Sequence, residues 1–175
     1  QAAFAAVRAR QESLRTTFHL HADGPVQVIH APAPQDLPLD DLAALPDRDA
    51  ELERRLELEV HRPFDLERGP LLRARLLRSA PDVHVLCVVV HHIVGDGWSI
   101  AVLVRELNAL YAAFVAARPS PLPPLDLQYA DFGRWHAERL AGDAAARHLE
   151  FWRTTLADLP QLRLPTDRPR AGAES

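Results

Sequence analysis

Methionine and lysine are both absent from the 175 residues, and cysteine occurs once, at Cys87. One cysteine cannot close a bridge within the chain, which excludes a disulfide-stapled secreted fold and fits a reducing compartment. With no methionine even at position 1, the sequence reads as a piece of a longer polypeptide. All 20 basic residues are arginine, and with 15 prolines and abundant alanine this is the pattern of codon bias in a GC-rich genome. Aromatic residues are only 6%, and the net charge is −4 without a strongly basic segment, so nucleic acid is not an expected partner. Long hydrophobic runs are missing too. The longest, Ala109–Ala117, has nine residues, against the roughly 18–20 that span a bilayer. No basic-then-apolar leader opens the chain. Secretion and membrane spanning are therefore disfavoured, and a cytoplasmic location is expected.

What is present is ordinary: 47% hydrophobic and 25% charged residues, enough to bury one core of common size. Phe4, Val7, Gln11 and Leu14 recur at helical spacing, so residues 2–13 read as the end of an amphipathic helix. Residues 14–21 alternate, with Arg15 on the polar side, turn at Asp23-Gly24-Pro25, and pair with Val26–Ile29 as a hairpin. Residues 31–46 hold four prolines and read as loop. A helix capped by Asp47 or Asp49 runs to about Val60 with Leu52, Leu56 and Val60 inward. Leu71–Arg78 and Val83–Ile93 read as antiparallel strands. The second is apolar on both faces and is expected to be central and covered on both sides. A helix with Ile100, Leu103, Val104, Leu107, Leu110 and Phe114 on one stripe follows, then two more near 127–140 and 144–159. The interleaving of helices and hairpins predicts α/β architecture with a mixed or antiparallel sheet.

Chemistry concentrates where the buried strand gives way to the helix, at His91-His92-Ile93-Val94-Gly95-Asp96-Gly97-Trp98-Ser99. Successive strand residues face opposite sides, so only one of the two histidines can enter a given cavity. Imidazole is the side chain best suited to accepting a proton near neutrality. The same residues carry plainer readings: a histidine held in the core by hydrogen bonds, and Asp96 as an N-cap. Zinc is not expected, since its sites need three or four converging ligands and these two diverge.

His91-His92-x-x-x-Asp96-Gly97 resembles the HHxxxDG signature of condensation domains of nonribosomal peptide synthetases. Three further segments are similar in order and spacing. Arg10-Gln11-Glu12-Ser13-Leu14-Arg15-Thr16-Thr17-Phe18 resembles RHExLRTxF, with Gln11 in place of histidine. Pro63-Phe64-Asp65-Leu66 through Gly69-Pro70-Leu71-Leu72-Arg73 is similar to the stretch before the signature strand, and Tyr129-Ala130-Asp131-Phe132-Gly133-Arg134-Trp135 resembles YxDFxxW. The close, Phe151-Trp152-Arg153 and then Leu164-Pro165-Thr166-Asp167-Arg168-Pro169, is similar to the approach to a second lobe. The family's opening motif is absent. Residues 1–159 are thus expected to be a partial N-terminal lobe of chloramphenicol-acetyltransferase-like fold, and 160–175 an extended connector toward a C-terminal lobe.

The resemblance implies amide-bond formation between a donor acyl or peptidyl thioester and the α-amine of an acceptor aminoacyl thioester. Both substrates ride on the 4′-phosphopantetheine of peptidyl carrier proteins, with adenylation domains alongside and no cofactor bound by this chain. It implies that His92 faces the channel as base or positioner, that the Gly97 N–H helps hold the oxyanion, and that His91 supports the site. Asp96 and Arg15 are implied to be a structural pair. Tyr129, Asp131, Phe132 and Trp135 are implied to shape the passage to the second lobe. The chain alone is then expected to give no turnover. Within the family the wording is most similar to the subtype joining two L-residues, with a starter subtype as alternative. A stand-alone CoA-dependent acyltransferase and a non-catalytic carrier-binding scaffold are the rival functions.

Overall fold

The structure, a computed structural model, describes residues 1–34 and 36–160. The expected connector lies, Pro160 apart, outside the described residues. In chain order the elements are α1 (Ala2–Arg10), a 3-10 turn (Glu12–Arg15), β1 (Thr16–His21), β2 (Gly24–Ile29), β3 (Leu39–Asp41), α2 (Arg48–His61), β4 (Leu72–Ala80), β5 (Val83–Val90), α3 (Gly97–Val115), α4 (Tyr129–Leu140) and α5 (Asp143–Thr155). The chain forms two compact units, Gln1–Phe132 and one beginning at Gly133, so the boundary falls inside α4. Among the described residues, the first unit holds all the strands; the second contains the rest of α4 and α5, two amphipathic helices.

β1 and β2 form an antiparallel hairpin from Thr16 opposite Ile29 to His21 opposite Gly24. The remaining strands form a mixed sheet in the order β3-β4-β5, with β3 parallel to β4 and β4 antiparallel to β5. Side-chain parity in this sheet creates two cores. Leu72 and Ala74 of β4 and their partners Val90 and Val88 of β5 pack on one face with Phe4 and Val7 of α1 and Leu103 and Leu110 of α3. Leu77 of β4 and Cys87 and Val89 of β5 pack on the other face with Leu42 and with Leu52 and Leu56 of α2. An apolar sequence on both sides of β5 is what this double coverage requires.

The structure departs from the sequence pattern at several places. β5 is covered on both faces, yet it stands at the edge of the described sheet and β4 is central. The strand also stops at Val90: the Val94 N–H donates to the His91 carbonyl at 3.0 Å, turning the chain away, although His91 N–H still donates to Leu71 at 2.9 Å. β3 arises inside the proline-rich loop. Three residues are too few to show a period, and their pairing comes from β4. On α2, Glu59 replaces Val60 on the inner face, and Val60 is exposed. On α3 the buried line is Leu103, Glu106, Leu110 and Ala113, leaving Ile100 and Val104 half exposed. Finally, α1 ends at Arg10, and Leu14 and Arg15 belong to the 3-10 turn instead of a strand.

Burial within this framework predicts unequal costs along the β4–β5 pair. Leu77, with no exposed surface, is expected to lose about 2–5 kcal/mol on substitution by alanine. Leu86, 39% exposed at the open edge, should lose less than about 1 kcal/mol when changed to alanine. Equilibrium denaturation of both variants checks this, and equal losses would mean that the β5 edge is covered in solution.

Candidate functional site

Where β5 ends and α3 begins, the chain borders a cavity of about 540 Å3. Leu14, Val90, Val94 and Leu103 form its apolar walls, and Gln11, Ser13, His92, Asp96 and Ser99 bring polar groups. His92 is exposed to this space, on the side that Val90 and Val88 continue from the strand. His91 turns the other way. Its ring meets Phe64 edge-on with centroids 5.6 Å apart, and its Nδ1 accepts from the Ile93 N–H at 3.1 Å. Phe64 in turn lies under the Arg73 guanidinium, whose Cζ is 3.6 Å from the ring centroid. The two histidines are thus divided between the two faces although neither lies within the strand proper.

Asp96 is the N-cap of α3. Its Oδ1 accepts from the Ser99 N–H at 2.8 Å and from the Ser99 hydroxyl at 2.7 Å. These bonds, with the nearby His92 as a smaller influence, hold its carboxyl below the usual range. Arg15 is engaged elsewhere: it donates to Glu12 Oε1 at 3.1 Å and to the carbonyl of His30. The expected buried Arg15–Asp96 ion pair is therefore not formed. The 3-10 turn folds Arg15 back on an acid three residues earlier, while Asp96 is exposed and satisfied by its own helix. The capping reading of Asp96 is the one the structure bears.

Gly97 opens α3. A Cβ there would meet nothing within 4 Å, so no neighbour in the described chain demands a glycine. Its backbone has ordinary φ, and its N–H belongs to the first turn, where helix N–H groups lack partners of their own. Asp96 and Trp98, on either side, line the cavity. Gly95 differs: a Cβ would come within 3.3 Å of Val90 Cγ1 and 3.5 Å of Ser99 Cβ, so a side chain there would push Val90 back by a few tenths of an ångström.

Three participants were not identified from the sequence. Trp98 is 82% exposed and borders the cavity, and its place in the first helical turn gave no signal of this. Glu106, 6% exposed, accepts from Arg10 Nε at 3.1 Å and Gln11 Nε2 at 2.9 Å, tying α1 to α3 behind the cavity. Its signal was present, since an acid three residues after Leu103 and four before Leu110 falls on the buried stripe. Gln128, just before α4, holds the end of α1 and the 3-10 turn, donating to the Arg10 carbonyl at 3.0 Å and accepting from the Glu12 N–H at 3.1 Å. Of the Tyr129-to-Trp135 segment, Tyr129 borders the cavity and lies against Phe132, with ring centroids 5.8 Å apart.

A family profile described as Condensation domain matches residues 1–175. The chain belongs to the condensation-domain family. It is 61% identical over 168 residues to a chondramide synthase of Chondromyces crocatus, covering 95% of this chain and 4% of that protein. It is 44% identical over 173 residues to a linear gramicidin synthase of Brevibacillus parabrevis, covering 97% of this chain and 3% of that one. Among solved structures, the X-domain from teicoplanin biosynthesis superposes with TM-score 0.85 at 36% identity, over 97% of this chain and 38% of the X-domain chain. The fold is thus the chloramphenicol-acetyltransferase-like fold of condensation domains. This condensation-domain chain spans only a few per cent of the synthetases it matches and well under half of the solved domain.

The separation of Arg15 from Asp96 has a thermodynamic signature. Asp96→Ala and Arg15→Ala are expected to destabilise additively, because they share no partner. The depressed Asp96 carboxyl stabilises the fold above the ordinary carboxylate pKa, and this contribution fades as pH falls through the lower folded-state value. Ser99→Ala should move the Asp96 titration back up toward the ordinary value and narrow that window. NMR titration and a double-mutant cycle check both. A large coupling between positions 15 and 96 would restore the ion pair.

Proposed function

We propose that this chain is a partial N-terminal lobe of a condensation domain, residues 1–159. In the complete domain it forms one wall of a channel where two carrier-bound thioesters meet. The observation that carries this reading is the division of the histidines. His92 borders a cavity with apolar walls, while His91 is held against Phe64.

In the proposed reaction the α-amine of the acceptor attacks the thioester carbonyl carbon of the donor, a C–N bond forms and the C–S bond breaks. His92 accepts the amine proton or orients the amine, and the proton ends on the departing thiol. The Gly97 N–H, at the electropositive start of α3, stabilises the oxyanion that develops on the carbonyl oxygen. The bare Cα of Gly97 supports this role, because a substrate can approach where no side chain intervenes. Asp96 sets the direction of that helix start, and His91 supports the turn. Substrates arrive on the 4′-phosphopantetheine arms of peptidyl carrier proteins, with adenylation domains in the same assembly line and the C-terminal lobe as the opposite wall. Cys87, a buried free thiol, is compatible with a cytoplasmic location. The 38% coverage of the solved X-domain chain supports the partial-lobe reading.

Single-turnover assays in the full-length domain test the assignment. His92→Ala is expected to slow peptide formation by about 10²–10⁴-fold at nearly unchanged melting temperature. His91→Ala should instead lower the melting temperature through lost packing on Phe64, with a smaller loss of rate per folded molecule. Full activity of His92→Ala would remove His92 from the reaction, and absence of peptide formation by the unmutated full-length domain would leave the carrier-binding scaffold as the reading to pursue.

A further inference from the structure

A second cavity, of about 560 Å3, shares only Leu14 with the one beside His92. Its charged lining is lopsided: Arg8, Arg15, Arg62, Arg68, Arg73 and Arg75 face Glu59 and Asp36. Carboxylates near the cavity take up part of this charge, with Glu12 at 3.1 Å from Arg15, Asp40 at 3.0 Å from Arg75 and Asp65 at 3.8 Å from Arg68. Glu59 is spread over three cations, Arg62 at 3.3 Å, Arg73 at 3.6 Å and Arg75 at 3.0 Å.

Arg8 is the exception. Among the described residues it has no carboxylate partner, and its guanidinium donates only to the Ala33 carbonyl, at 3.3 Å. Four buried side-chain nitrogens lack a hydrogen-bond partner among the described residues. Three of them, the Nε atoms of Arg8, Arg15 and Arg73, belong to this cavity's arginines. Burial lowers the pKa of Arg8 and, chiefly for the same reason, that of Arg73. A cation desolvated and left without a carboxylate, as Arg8 is among the described residues, is costly, and an anion seated beside it would offset the cost.

The chemistry selects the anion. Guanidinium forks match phosphate oxygens in pairs, and several of them suit a dianion better than a single carboxylate. The volume leaves room for more than one phosphate group. We propose that this arginine-lined cavity binds a phosphate-bearing small molecule, with Arg8 as its principal unneutralised cation. Nothing in this proposal depends on the chemistry at His92.

Titrating the chain with pyrophosphate at low ionic strength, followed by phosphorus NMR line broadening, tests it. Binding should be saturable and should weaken by about tenfold or more in Arg8→Gln. Arg68→Gln, at an exposed side chain whose loss spares the fold, should weaken it by a smaller factor. Arg48→Gln, at an exposed arginine outside the cavity, and His92→Ala should leave it unchanged. Melting curves confirm that each variant is folded. Absence of saturable binding, equal binding by Arg8→Gln, or an equal loss in Arg48→Gln would overturn the proposal. Acetate binding as tightly as pyrophosphate would overturn the choice of phosphate.

Discussion

The antiparallel register that sets Leu72 opposite Val90 governs the rest of the first unit. With a side-chain period of two, it commits the even positions of β4 and β5 to the α1–α3 side and the odd positions to the α2 side. A slip of one residue would bring Arg73 and Arg75 into the apolar layer of Phe4, Val7 and Leu110, and would lift Leu72 away from it. Both arginines are instead held on the α2 side, where Glu59 and backbone carbonyls receive them. The charged groups thus help fix the register by having only one face on which they can be satisfied.

That parity outlives the strand. β5 ends at Val90, yet the last ladder bond, from His91 N–H to Leu71, carries the alternation one residue further before the turn closes. His91 therefore falls on the side of Phe64 and Arg73, and His92 on the side of Leu14 and Leu103. The close fit of Gly95 beside Val90 brings α3 back against the strand end. The position of His92 beside its cavity is accordingly a consequence of sheet register, turn length and one glycine acting together.

Element types were legible in the sequence wherever a period was long enough to read. α2, α3 and the β4–β5 pair all lie close to where the pattern of apolar residues puts them, and the two-sided coverage of β5 follows from its composition. Strand order was not legible, because a strand apolar on both faces can be covered by helices without being flanked by strands. β3 was hidden for a different reason: three residues whose pairing is decided by β4 have no pattern of their own. On α2 and α3 the apolar pattern leaves out the charged members of the buried stripe. Glu59 and Glu106 each lie on the inner face because an arginine waits there, and charge alone had argued them outward.

Arg15 and Asp96 show how local satisfaction defeats a longer-range pair. Arg15 has Glu12 and the His30 carbonyl within reach, and Asp96 has two donors from Ser99. Joining the two charges would mean releasing both sets of bonds and ordering both side chains, for an attraction that exposure at Asp96 would screen. Asp96 contributes through geometry instead. As N-cap it adopts extended angles, φ −117° and ψ −173°, and its carboxylate ties the first turn of α3 to that bend. The bend decides where the N–H of Gly97 points. The carboxylate therefore fixes the start of the helix through Ser99, with no distant arginine involved.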